Sequence, residues 1–249
     1  MNEKKYVEPN RWFSVLKEKG PRGLRREFDD NSYYVNHGMV EMIDHDFRGL
    51  KLHKINLELV NCEGSNFSGC DMRGALLYLT CLMEADLEGA NLQHAQLKGP
   101  ILMGANLKGA NLRQSCISQN HKSQKTFLNH YEERMGPIYG HPVYGNNVRF
   151  ACFDEADFRR AEMGECDYTE ASFRGANFER VDAWACDFSG CDLEGARMFC
   201  GLLDGSMFRD ANLKNVDFRY ANLTDCDFTG ANVEGCRWDE AILDDVLGL

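Results

Sequence analysis

A large apolar residue recurs at every fifth position of this chain. The series runs Phe47, Leu52, Leu57, Cys62, Phe67, Met72 and onward through Leu92 and Leu107 to Ile117. It resumes at Phe153 and continues through Phe188 and Phe228 to Leu243, with Ala183 its one small member. Two places before each centre stands a small residue. In the second series it is always Ala, Cys, Ser, Gly or Val; in the first, His45, Leu50, Ile55 and Pro100 depart. One place before the centre Asp or Asn is common. A helix of 3.6 residues per turn would rotate such centres by about 140° per repeat and smear them round the cylinder. A flat strand would flip them between its faces, because five is odd. The pattern holds only if the chain bends once per repeat and every centre points at one axis. Such a chain coils, and successive coils pair as parallel strands about 4.8 Å apart.

Two stretches lack the repeat. Residues 1–39 contain a candidate helix from Asn10 to Lys19 with Trp12, Phe13, Val15 and Leu16 as its apolar side, stopped by Gly20-Pro21. This stretch reads as a cap over the first coil, or as a docking arm using Arg22, Arg25 and Arg26. The second stretch, 118–147, carries His121, His130, His141, Phe127, Tyr131, Tyr139 and Tyr144. The step from Ile117 to Val148 is one residue more than six repeats, so a loop must leave the coil and return. Loops this long are uncommon in compact folds and often functional. It reads either as a tolerated insertion or as a contact loop; the spacing of its histidines matches no standard zinc site.

Stretches such as Ala85-Asp86-Leu87-Glu88-Gly89-Ala90-Asn91-Leu92 and Ala105-Asn106-Leu107-Lys108-Gly109-Ala110-Asn111-Leu112 resemble the A-[DN]-L-x-x signature of the pentapeptide-repeat family. The resemblance implies an all-β solenoid, a right-handed quadrilateral parallel β-helix with four repeats per coil. The expected organisation is a cap or arm over 1–39, a first repeat block over 40–117, a projecting loop over 118–147, a second block over 148–245 and a tail over 246–249. The thirty-four centres then make about eight and a half coils, a rod of about 40 Å.

The chain has 249 residues, 39 acidic and 28 basic, for a net charge of −11. That balance argues against a general phosphate-binding surface, so no direct nucleic-acid contact is expected. No apolar run approaches the length of a membrane span, and no apolar stretch follows the first charges, so a cytoplasmic protein without membrane contact is expected. Eleven cysteines, an odd number with no C-x-x-C pair, point to free thiols in a reducing compartment. Six of them (Cys70, Cys166, Cys186, Cys191, Cys226 and Cys236) fill the small slot; Cys81, Cys116, Cys152 and Cys200 read as outward-facing and leave a redox role open. There is no G-x-G-x-x-G, Walker-type loop, H-E-x-x-H or G-x-S-x-G. No catalytic activity, cofactor or metal is expected.

The acidity is confined to one region. Residues 45–117 balance seven acids against seven bases, whereas 148–249 hold 22 acids and 10 bases. With four repeats per coil, positions twenty apart share a wall. One wall then collects Glu162, Glu165, Asp182, Asp204, Asp225, Asp244 and Asp245 without a base, and carries Trp184. The wall beside it carries Arg159, Arg160, Arg180, Arg197, Arg219 and Arg237 against five acids. These seven carboxylates, with His130, Tyr131, Tyr139 and Tyr144 of the loop, are the candidate partner-binding residues. Two functions follow: a non-catalytic scaffold for protein–protein interaction, or a DNA mimic. The second rests on the resemblance, which includes quinolone-resistance proteins that protect DNA gyrase or topoisomerase IV, act in antibiotic resistance and dimerise through their C-terminal ends.

Overall fold

The computed structural model describes residues 40–58, 60–118 and 148–249, together with Ser14 and Glu18. Regular strands are short: β1 (Val40–Glu41) pairs in parallel with β2 (Val60–Asn61), and β3 (Gln96–Lys98) with β4 (Cys116–Ser118). Elsewhere the coil is stitched by single parallel bridges, and nearly all join residues twenty apart, as in Asp86↔Asn106 and Asp187↔Met207. Four five-residue sides therefore make one turn. Across the loop the step becomes forty-six, as in Asn106↔Cys152 and Cys116↔Glu162, so the twenty-six extra residues leave the stacking intact.

The five positions have distinct duties. The centre donates its N–H to the coil above, as Leu87 does to the Asn106 carbonyl at 2.7 Å. The residue before it donates downward, Asn106 to the Ala85 carbonyl at 2.9 Å. The small residue closes the corner, Ala90 donating to the Leu87 carbonyl at 3.0 Å. Two places after the centre the chain takes a left-handed turn, at Gly89 (φ 63°) or at residues such as Glu170 (φ 60°). Glycine is cheapest there because it has no Cβ to clash. The one remaining N–H is capped by the Asp or Asn, whose side chain turns back on it: Lys108 N donates to Asn106 Oδ1 at 3.1 Å, and Arg159 N to Asp157 Oδ1 at 3.1 Å. This Asx capping explains the Asp/Asn preference, since an unpaired backbone donor is costly.

The centres form four internal columns. Met42 and Val148 also lie fully buried in them, which extends the thirty-four centres of the fivefold reading and makes nine levels. In the second block three of the four columns carry stacked aromatic rings, with Phe153–Phe173 at 4.9 Å, Phe158–Phe178 at 4.8 Å and Phe188–Phe208 at 5.2 Å between ring centroids. Ala183 now has a reason. Its level already holds Tyr168, Phe173 and Phe178, in contact at 5.5 and 5.3 Å, and only a small fourth member fits. Slot cysteines donate Sγ–H to a carbonyl one coil below, as Cys186 does to Met163 at 3.0 Å and Cys191 to Tyr168 at 2.9 Å. Burial pushes the Cys186 thiol well up and the Cys226 thiol to about 12.

Three sequence expectations change. Pairing continues to Leu247, bridged to Asp227, so the last coil takes in the first two residues assigned to the tail. Ser118 pairs with Lys98 and belongs to the rod rather than to the loop. Cys81 and Cys116, read as outward-facing, are buried, while Cys152 and Cys200 are half-buried. The 1–39 segment apart from Ser14 and Glu18, and residues 119–147, lie outside the described residues.

Candidate functional site

The bridge pattern assigns every outward side chain to a wall. Glu162, Asp182, Leu202, Asn222 and Ile242 form one ladder up the wall over Met163, Ala183, Leu203, Leu223 and Leu243. Backbone bonds add two further rows: Glu165 N donates to the Trp184 carbonyl, Ala185 N to Asp204, and Asp225 N to Asp244. All seven candidate carboxylates stand on this one wall. The other candidates, His130, Tyr131, Tyr139 and Tyr144 of the loop, lie outside the described residues.

The carboxylates here differ from those on the other walls in how they are used. On the other walls of the second block several Asp serve the fold and meet a cation: Asp157 caps Arg159 N and pairs with its guanidinium at 2.6 Å, and Asp217 does the same for Arg219 at 2.7 Å, while Asp167 and Asp187 cap Thr169 N and Ser189 N without an ion pair among the described residues. Arg174 spans Asp192 and Glu194, and Arg209 holds Asp227. By contrast, Glu162, Asp182, Asp204, Asp225, Asp244 and Asp245 have no ion pair among the described residues. Among the described residues Asp182 occupies the capping place yet its carboxylate caps no N–H, and the Asp204 carboxylate accepts only from Asn222 Nδ2, at 3.4 Å.

Electrostatics separates the two groups. Partial burial, then the nearby Glu162 and Asp204 charges, raise the Asp182 carboxyl above its ordinary value. On the neighbouring faces of the second block the shifts run downward. Hydrogen bonds from Thr229 and Arg209 hold Asp227 at about 2, and the Arg219 hydrogen bond lowers Asp217.

Apolar side chains punctuate the acidic wall. Trp184 is 42 % exposed, Leu202 50 % and Ile242 49 %. Trp184 lies against the backbone of Gly164, where a Cβ would come within 2.5 Å of its Nε1. Leu202 and Ile242 were not singled out from sequence, although the signal was present: each puts a large aliphatic where the repeat expects Asp or Asn. The Arg-rich wall is also as expected. On it Arg197 and Arg219 lie over the Phe199 ring at 5.7 and 5.5 Å.

Two models of one family match the chain. A pentapeptide repeat region covers residues 161–238, and pentapeptide repeats in eight copies cover 46–78 and 80–119. The chain belongs to the pentapeptide-repeat family. No curated protein matches it. Among solved structures, HetL, a pentapeptide repeat protein involved in heterocyst differentiation regulation from the cyanobacterium Nostoc sp. strain PCC 7120, is 21 % identical with a TM-score of 0.52, over 84 % of this chain and 87 % of that one. The plasmid-mediated fluoroquinolone resistance protein QnrB1 is 17 % identical with a TM-score of 0.33, over 82 % and 93 %. Rfr23 from the cyanobacterium Cyanothece 51142 is 15 % identical with a TM-score of 0.36, over 62 % and 91 %. The family models and the likeness to HetL establish the fold of this pentapeptide-repeat protein, a right-handed β-helix, and nothing finer. Among the described residues no helix is long and apolar enough to cross a membrane, and no cluster of His, Cys, Asp and Glu suits a metal.

Proposed function

We propose that the rod is a non-catalytic protein-interaction scaffold whose acidic wall in the second block docks a cationic protein surface. The observation that carries this reading is the set of six carboxylates without an ion pair among the described residues, interleaved with exposed Trp184, Leu202 and Ile242. Unneutralised charge of one sign steers an oppositely charged partner, and large exposed aromatics are typical anchors. The loop supports a second contact, since the rod residues that flank it, Ser118 and Val148, lie at the corner bordering this wall.

A narrower reading is mimicry of DNA toward gyrase or topoisomerase IV, as the family resemblance implies. Seven carboxylates over five coils of about 4.8 Å give one charge per about 3.4 Å, the spacing along one DNA strand. The charged length is about 24 Å, because the same wall in the first block carries Asn56, Glu58, Leu76, Tyr78, Gln96 and Lys98. The apolar end of the last coil, with Leu243, Leu247 and Leu249 exposed, supports a homodimer through that end.

Capture by the full-length protein tests the scaffold. Partners retained by the wild type should be lost with Asp182→Asn, Asp204→Asn and Asp225→Asn combined, yet kept when Glu155, Glu194 and Glu234 on the opposite wall become Gln. Equal loss from both would refute the assignment. A gyrase supercoiling assay with and without a fluoroquinolone decides the narrower reading: protection must vanish with the first variant and weaken with salt.

A further inference from the structure

The wall beside the acidic one is a basic track along the described rod. Its ladder runs Lys51↔Asp71↔Asn91↔Asn111↔Asp157↔Asn177↔Arg197↔Asp217↔Arg237 and keeps its stacking past the loop. Over these nine rungs the outward places hold ten Lys and Arg against six Asp and Glu, in a chain whose net charge is −11. The acids on this wall do not neutralise it. Asp71, Asp157 and Asp217 each pair with the Arg two places on, and Glu179 reaches Arg197 at 3.9 Å. Arg160, Arg180 and Arg237 are exposed and have no ion pair among the described residues. Arg160 and Arg180 stand one coil apart at the left-handed corner, φ 58° each, where the coil bonds only their backbone.

An aromatic pair sits among these cations. The guanidinium carbons of Arg197 and Arg219 lie 5.7 and 5.5 Å from the Phe199 ring centre, and Tyr220 meets that ring edge-on at 5.4 Å. Tyr220 is 54 % exposed and Phe199 half-buried. Guanidiniums beside an accessible aromatic face suit a ligand that carries carboxylates and an apolar side chain, since Arg can donate two parallel hydrogen bonds to one carboxylate. The adjoining wall limits what else can lie here. Each side of the coil is about three extended residues, about 10 Å, across. Glu162 and Asp182 follow Arg160 and Arg180 by two residues, just round the corner. Duplex nucleic acid carries a charge about every 1.7 Å. Laid on this wall, it would bring that charge within a Debye length, about 8 Å, of those carboxylates. A single extended peptide fits on the basic side alone.

We propose that this wall binds an acidic, extended segment of a partner protein. Arg160, Arg180 and Arg237 take its carboxylates, and Phe199 with Tyr220 takes its apolar side chain. From the Arg160 rung to the Arg237 rung is four coil steps, about 19 Å, the length of about six extended residues. The track continues onto the first block, where Lys51 and Arg73 are exposed. The rod then offers two recognition surfaces of opposite sign on adjoining walls, and the basic one does not depend on the acidic one.

Fluorescence anisotropy of a dye-labelled peptide, eight Glu around a central Phe, titrated with the full-length protein tests this. The peptide should bind at low salt and be released as salt rises. Arg160→Gln, Arg180→Gln and Arg237→Gln combined should weaken binding about tenfold or more. Arg174→Gln, Arg209→Gln and Lys214→Gln combined, the same loss of charge on other walls, should leave it within about twofold. Asp182→Asn, Asp204→Asn and Asp225→Asn combined should not weaken it, so this proposal and the acidic-wall reading fail separately. No binding by the wild type, equal weakening by both basic sets, or tighter binding of a thymidine oligonucleotide than of the peptide would overturn the proposal. So would self-association at the same salt that the basic-wall and acidic-wall variants both abolish, since the occupant would then be the acidic wall of a second copy. Should the triple Arg change lower the unfolding midpoint, Arg180→Gln alone decides: binding weaker by about twofold or more supports the proposal, and unchanged binding overturns it.

Discussion

The two blocks of the rod share one backbone plan and differ in everything that plan leaves open. The first is cored mainly by Leu, balances its charges and hides apolar outer side chains. The second is cored by stacked aromatic rings, carries the whole acidic excess and exposes Trp184, Leu202 and Ile242. Both keep the twenty-residue register, the left-handed corner and the Asx cap. The comparison teaches that inner and outer positions are independent variables in this fold. The centres decide how a level fills, and the outward places decide what the wall recognises.

The largest expected difference lies in the core. Phe173 stacks on Phe153 and meets Tyr168 and Phe178 edge-on or tilted, so Phe173→Ala should cost about 3–5 kcal/mol. Leu92→Ala, in an all-Leu level of the first block, should fall nearer the low end of the range of about 2–5 kcal/mol for such truncations. Denaturant unfolding of both variants tests the order, and a reversed order breaks the account of aromatic stacking. Next in size is the volume balance at Ala183. Ala183→Leu should destabilise by about 1–3 kcal/mol through overpacking, and adding Tyr168→Val should restore part of it. Additive losses would mean that the two side chains do not share space.

Acid titration separates the walls. Asp227 is held at about 2, below its ordinary value near 4, so its contribution is present above about pH 4 and lost as pH falls toward 2. Asp182 runs the other way: its carboxyl is raised, so its contribution is present below the ordinary value and lost as pH rises through the shifted one. Accordingly Asp227→Asn should flatten the acid limb of a plot of unfolding midpoint against pH. Asp182→Asn should raise the midpoint at pH 7. A drop with Asp182→Asn would show that its carboxylate serves the fold after all. The smallest expected effect is at Tyr168, whose buried hydroxyl lies beside the Cys166 thiol and has no hydrogen bond of ordinary geometry among the described residues. Tyr168→Phe should be neutral or stabilise by up to about 1 kcal/mol, because it removes an unsatisfied polar atom.

Much of this was legible in the sequence because the fold is written at a fixed period. Centres, small slots and the assignment of Asp204 or Asp225 to a wall follow from counting by five and twenty. What counting could not supply was which acids are already spent. Asp157, Asp182 and Asp217 occupy the same place in the motif, yet two pair with an Arg two residues on and one faces Glu162 across a coil. Nor could periodicity foresee that Cys81 and Cys116, in outward places of their repeats, are buried. Ala183 looked like an isolated exception until the coil placed it on one level with Tyr168.

The central claim, that recognition resides in unpaired carboxylates on one wall, is tested most directly by association rate. Stopped-flow binding to a captured cationic partner, at several salt concentrations, would be compared for the wild type, the Asp182/Asp204/Asp225 amide variant and the Glu155/Glu194/Glu234 amide variant. The account predicts that only the first variant slows association and loses its salt dependence. Equal slowing by both variants would contradict it, since net charge rather than the wall would then be what the partner senses.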